Sequence, residues 1–423
     1  MAKLVAAQQL DLASVIRPGD GVIWGQACAE PLTLVEALVA QRAALGPLEV
    51  FMGVNWSGTI KAEHADHLRL TAYCGAGHIR GLADAGVLDI CPYPYSQIGP
   101  LIRAGKIRCD VVLLQVSPPN ARGEYSLGLD VEYLAPAIDR ARAVVAEINH
   151  CVPWTSTEKV LCAADFALLV ESRRTPVAPP YGAPGDAENR IAQHAAQFIP
   201  DGATLEFGLG ALPDAILAAL AGRRDLGIHS GLLCDGVARL AQQGAITNAR
   251  KSIDRGVTVA GVLMGTQVLF DFAQLNPCVQ LRSCEYTHHP AVLSRIEGFV
   301  AVNSAVEVDL SGQVNAEVAG GSYVGAIGGQ LDFVRAANLS PGGLSLICLP
   351  AGAGGKASRI VAKLSGPVAT PRSDAGVFVT EWGAADLRGL PLSKRTARMI
   401  AIAHPDVREG LEREAHGLGM RGR

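Results

Sequence analysis

Short, nearly unbroken runs of Val, Ile and Leu recur along the chain and leave little choice of fold. VVLLQV (Val111 to Val116), AVVAEI (Ala143 to Ile148), VTVAGV (Val257 to Val262), LSLICL (Leu344 to Leu349) and VFVT (Val377 to Thr380) lack the polar alternation of a half-exposed strand. A strand that is apolar on both faces must be covered on both faces, which is the situation of a mainly parallel sheet under helices. Helical patterns at Pro31 to Leu45, Ala187 to Phe198 and Leu212 to Ala221 lie between the runs. The alternation predicts an α/β fold of open sheets.

At 423 residues the chain exceeds one core and suits two domains of about 200 residues each. The clearest break is RRTPVAPPYGAPGDAEN, Arg173 to Asn189, where prolines, glycines and polar residues interrupt the periodicity. A boundary there predicts two similar α/β domains, 1–180 and 181–423, the second carrying a glycine-rich loop. The segments Ile16 to Thr33 and Ile199 to Leu212 share one plan: a Pro/Asp/Gly turn, a strand, a Gly-containing loop, a helix. They read as weakly related copies.

Forty acidic residues against 37 Lys plus Arg give a net charge of -3, and no basic run offers a track for phosphate backbones. Nucleic acid is not an expected partner. The N-terminus lacks a signal-peptide core, and no stretch reaches roughly 18 uninterrupted apolar residues, so neither export nor membrane insertion is expected and the cytoplasm is. Ten cysteines are scattered without metal-ligand spacing, which reads as reduced thiols and no metal site.

Three segments carry chemistry. TLEFGLGALPDAIL (Thr204 to Leu217) reads as strand, glycine loop and helix, with Gly208 and Gly210 allowing close backbone approach and Pro213 in the first helical turn. Such a helix start offers N–H groups to an anion, although a plain tight turn has the same pattern. VNSAVEVDLSGQVNAEVAGGSYVGAIGGQLDF (Val302 to Phe333) is dense in Gly, Asn and Gln after a strand, which marks irregular backbone held by side-chain hydrogen bonds and a loop able to close on a ligand. LGIHSGLLCDG (Leu226 to Gly236) ends a further strand.

Together these segments resemble the family I CoA-transferases, in the branch of single-chain acetyl-CoA hydrolase/transferase (4-hydroxybutyrate CoA-transferase-like) proteins, over nearly the whole chain. GGKASRIV (Gly354 to Val361), TEWGAADLRG (Thr380 to Gly389), QVSPPNARGEYSLG (Gln115 to Gly128) and AEINHCVPWT (Ala146 to Thr155) add to the match. The resemblance implies acyl-CoA as substrate rather than bound cofactor, a carboxylate as acceptor in a transferase, and a reactive glutamate that forms a mixed anhydride and then a glutamyl-CoA thioester. Here that glutamate is Gly231. His229, Asp235 and Gly236 match the family around it.

Three explanations stand beside one another. Glu206 replaces the glutamine normally found before the family's glycine turn, and paired strands lie about 5 Å apart, so its carboxylate can take over. Alternatively, glycine makes room for water or a bulkier acyl group, with a carboxylate or histidine as general base; that scheme includes C–C cleavage beside a carbonyl. The third is a CoA-ester-binding protein without catalysis. Glu285 and His288 of EYTHHP, together with His229, are the further candidates for proton work.

In the resemblance, Ala326, Ile327, Gly328, Gly329 and Gln330 belong to the flexible loop beside CoA, with the Gly328 and Gly329 amides as oxyanion donors. Ala326 stands where the family has glycine, and alanine resists positive φ, so an altered loop closure is expected. Lys356 and Arg359 are candidates for CoA phosphates, with fold-bracing ion pairs as the equal alternative. Met52, Asn55, Trp56 and Trp154, with Tyr93 and Tyr95, are candidates for the acyl pocket. Trp154 replaces a family arginine and points to a larger, less anionic acyl group. The expected activity is transfer or hydrolysis of an acyl-CoA thioester, by an enzyme free to be a homo-oligomer.

Overall fold

The computed structural model describes residues 3–353 and 357–419 and has two large sheets. The first is entirely parallel and runs in the order Lys3–Val5, Leu168–Ser172, Ala143–Asn149, Val111–Val116, Gly21–Trp24, Leu48–Met52, Leu68–Ala72, Leu88–Ile90. The second runs Gly227–Ile228, Thr204–Phe207, Phe299–Ser304, Leu344–Cys348, Val377–Thr380, Gly383–Asp386, parallel except for its final hairpin. All six residues of Val111–Val116 are buried, as a run apolar on both faces requires. Among the described residues no helix is long and apolar enough to cross a membrane.

The predicted helices appear as Leu32–Leu45, Asp186–Ala196 and Ala211–Ala219. One expected strand divides. Thr258–Ala260 pairs with Val279–Leu281, whereas Val262–Leu263 pairs with Leu232–Leu233. The break falls at Gly261, where a β-carbon would lie 2.8 Å from Oε1 of Glu132 and 2.9 Å from the Gly231 carbonyl. A close approach of three backbone segments therefore replaces a continuous ladder.

Residues 173–185 have no regular structure and separate the strands of the two sheets. The sheets nevertheless share one hydrophobic cluster that runs from Leu10 to Val379. Ser156–Thr157 joins Val279–Leu281 as a third strand. The Ser96 amide and hydroxyl donate to the two carboxylate oxygens of Asp332 at 3.0 and 2.7 Å. Gly75 N donates to Gly325 O at 2.8 Å and Tyr95 N to Gly328 O at 2.9 Å. The glycine-rich loop is thus tied at both ends to the first half of the chain.

Replacing Asp332 with alanine would leave the buried Ser96 amide and hydroxyl without acceptors. The expected loss is about 3 kcal/mol in urea unfolding at pH 7.5, with Asp332→Asn losing less because one acceptor survives.

Candidate active site

Where the two sheets meet, a cavity of about 280 Å³ collects residues from both. The strand Thr204–Phe207 contributes Glu206 and the following Gly208; Gly231 follows the neighbouring strand; the loop contributes Ala326, Ile327, Gly328, Gly329 and Gln330. His288 completes this side. Gln26, Tyr73, Tyr95 and Glu132 enter from the first half.

His288 occupies the space that a side chain at 231 would need. A β-carbon on Gly231 would lie 2.9 Å from Nε2 and 3.0 Å from Cε1 of His288, and one on Gly329 would lie 2.7 Å from Nε2. The ring is held between Tyr95 and Phe333, with centroids 4.6 Å away on each side. Its Nδ1 lies 2.8 Å from Thr287 Oγ1, whose hydroxyl donates to the Ser283 carbonyl at 3.1 Å. Because the hydroxyl has one proton to give, Nδ1 is assigned the ring hydrogen and Nε2 presents its lone pair at the cavity. Burial pushes the imidazole down to about 3, so it stays neutral.

Glu132 stands at the other side of Gly231. Its Oε2 accepts from Tyr95 Oη at 2.7 Å and from Gln26 Nε2. Gln26 Oε1 in turn accepts from Tyr73 Oη at 2.8 Å and Val54 N at 3.0 Å. Burial, then the neighbouring Asp130, raise Glu132 well above the carboxylate range. Burial likewise raises Glu206, which accepts from Asn303 Nδ2 at 2.8 Å. Both acids are held in the neutral form.

The loop enters the helix Gln330–Leu339, whose first turn borders the cavity. Among the described residues the Gly328 and Gly329 amides make no backbone hydrogen bond in the turn, which leaves them to a ligand oxygen. Gly328 has φ +53°, but Ala326 is outside the left-handed region. The expected strain at Ala326 is absent because Gly328 carries the turn. Gly325 must remain glycine, since a β-carbon there would collide with the Ala316 carbonyl.

Several candidates lie elsewhere. Pairing ends at Ile228, and His229 bridges to Val259 instead, so its ring is buried against Tyr286 with centroids 5.7 Å apart and does not line the cavity. Glu285 pairs with Arg103 at 2.9 Å and does not meet His288. Gly210 has φ +121°, caps the helix Ala211–Ala219 and does not line the cavity. Arg359 sits in a backbone ladder, its N donating to Ala351 O at 2.9 Å. Lys356 lies outside the described residues.

None of the four acyl-pocket candidates Met52, Asn55, Trp56 and Trp154 lines the cavity. Met52 is buried in the core at its strand end. Asn55 donates to Glu30 at 2.8 Å, Trp56 packs on Tyr181 at 6.5 Å, and the Trp154 amide donates to Gln274 at 2.7 Å. Tyr95 reaches the cavity, whereas Tyr93 is 45% exposed and does not line it. Gln26, Tyr73 and Glu132 went unread in the sequence; Asp130 and Glu132, two acids inside an otherwise apolar LGLDVEYL, were the available signal. Glu307 and Asp309 brace turns, through Ser365 and Gly366 and through Ser311 and Gln313 respectively.

The chain matches the acetyl-CoA hydrolase/transferase N-terminal domain over residues 2–178 and the acetyl-CoA hydrolase/transferase C-terminal domain over residues 265–415. It is 37% identical over 417 residues to the 4-hydroxybutyrate coenzyme A transferase of Clostridium kluyveri, covering 97% of each chain. It is 36% identical over 355 residues to a succinyl-CoA:acetate/propanoyl-CoA:succinate CoA transferase of Fasciola hepatica, covering 82% of this chain and 74% of that one. RipA from Yersinia pestis is similar in structure, with a TM-score of 0.94, 31% identity and coverage of 99% and 98%.

His288 titrates near 6.5 when unfolded and at about 3 when folded, so the unfolded chain binds the extra proton between those values. Its contribution to stability is therefore lost as pH falls below 6.5. Wild type should lose about 2 kcal/mol more than His288→Gln between pH 8 and pH 5, read by denaturant unfolding at each pH.

Proposed function

Because the chain belongs to the acetyl-CoA hydrolase/transferase family, and so acts on acyl-CoA thioesters, we propose that it hydrolyses them without forming an enzyme-bound CoA thioester. The observation that carries this reading is the imidazole of His288 in the place of a side chain at Gly231. Where the family implies a carboxylate nucleophile, this site holds a neutral base with its lone pair facing the cavity.

In the proposed reaction His288 Nε2 takes a proton from water as the oxygen attacks the thioester carbonyl carbon. The negative charge that develops on the carbonyl oxygen is met by the Gly328 and Gly329 amides and the positive end of the helix Gln330–Leu339. Collapse of the tetrahedral intermediate breaks the C–S bond, and the departing thiolate receives the proton from the imidazolium. The products are a carboxylic acid and free CoA. Glu206, buried and bonded to Asn303, is neutral and a poor nucleophile; its role is to complete the wall without adding negative charge. Loop residues Ile327 and Gln330 and the turn at Gly208 shape the entrance.

All ten cysteines are free thiols, two of them, Cys162 and Cys278, exposed. That supports a reducing compartment, and we place the protein in the cytoplasm.

Turnover of an acyl-CoA in H₂¹⁸O should put one ¹⁸O into the acid, and intact-mass spectra during turnover should show no CoA adduct. His288→Gln should lower kcat by about 100-fold or more. A CoA adduct that is present in wild type and missing in Glu206→Gln would replace this reading with covalent transfer through Glu206. Because the imidazole is neutral far below its ordinary range, the pH profile of kcat/KM should show no limb near 6.5 that His288→Gln removes.

A further inference from the structure

We infer that the cavity selects CoA esters whose acyl group is uncharged and rejects those that end in a carboxylate. The relatives do not decide this, since one is named for a hydroxy acid and another for succinyl-CoA. The wall decides it.

Among the described residues no Lys or Arg lines the cavity. Its ionisable groups are Glu132, Glu206, His288, Tyr73, Tyr95 and Cys74, none of which offers a positive charge. Apolar surface comes from Val54, Val262, Met264 and Phe333. A carboxylate brought into such a space loses its hydration with no cation to offset the loss.

Several hydrogen-bond donors of the polar wall are spent within it, and Gln330 Nε2 is left without a partner. Tyr95 Oη gives its proton to Glu132, Tyr73 Oη gives its own to Gln26, and the Gln26 amide reaches Tyr95 Oη and Glu132. Asn303 Nδ2 donates to Glu206. The loop amides remain, and the thioester carbonyl needs those. A second anionic group would find no cation to balance its charge; the side-chain donors left to it include the uncharged Gln330 Nε2 and the protons of the two neutral carboxyl groups. An alkyl chain meets Met264 and Phe333 without such a conflict.

The inference rests on the CoA-thioester reading of this cavity but not on the hydrolytic step, so binding tests it without turnover. The probes are two non-reactive thioethers of equal carbon count, S-butyl-CoA and S-(3-carboxypropyl)-CoA, titrated into the wild-type protein by calorimetry at pH 7.5. The carboxylated analogue is expected to bind at least tenfold more weakly. Equal or tighter binding of the carboxylated analogue overturns the inference and leaves the thioester reading intact. Failure of both analogues, and of CoA itself, to bind overturns both.

Discussion

Two backbone hydrogen bonds hold the site together. Val131 N donates to Gly261 O at 3.0 Å and Leu263 N to Leu129 O at 2.7 Å, so a segment of the first half runs along a segment of the second. This contact brings Glu132 beside Gly231, because Gly261 has no side chain to keep them apart. Without it Gln26, Tyr73 and Tyr95 would border open solvent, and their carboxyl partner would ionise. The neutrality of the cavity is therefore a property of the contact between halves, and neither half has it alone.

The shared core has the same consequence on a larger scale. Residues from Leu10 to Val379 form one buried cluster, so sliding of one sheet over the other would expose apolar surface as well as break the Ser96 to Asp332 bonds. The glycine-rich loop is pinned by the first half at Gly325 and Gly328. Its amides are presented to the cavity by a fixed turn, which suits a site that must stabilise charge without reorganising.

Much of the fold was legible because burial on both faces of a strand leaves a plain mark in composition. Val111–Val116 and Val377–Thr380 appear at their expected bounds. The strand expected at Val257 to Val262 does not survive as one element, since a run of residue types carries no trace of the three-way approach at Gly261. In the site, the segment around Gly328 was readable from its density of Gly, Asn and Gln, and that around Gly231 from its resemblance to the family. Glu132 and Gln26 were not, because their chemistry arises from partners about a hundred residues away, as in the Gln26 to Glu132 bond. Asn55 and Trp56 show the converse: a polar or aromatic residue near a strand end is equally at home bracing a turn or filling a core.

Gly231 and His288 also constrain how such a chain can change. A side chain restored at position 231 would begin 2.9 Å from the imidazole, and Gly329 closes on the same ring from another side at 2.7 Å. The ring and a carboxylate cannot share that place, so the order of substitutions matters: the ring must leave first. A chain passing between the two arrangements crosses a stage with neither group. Each residue of the pair therefore sets the steric cost of changing the other.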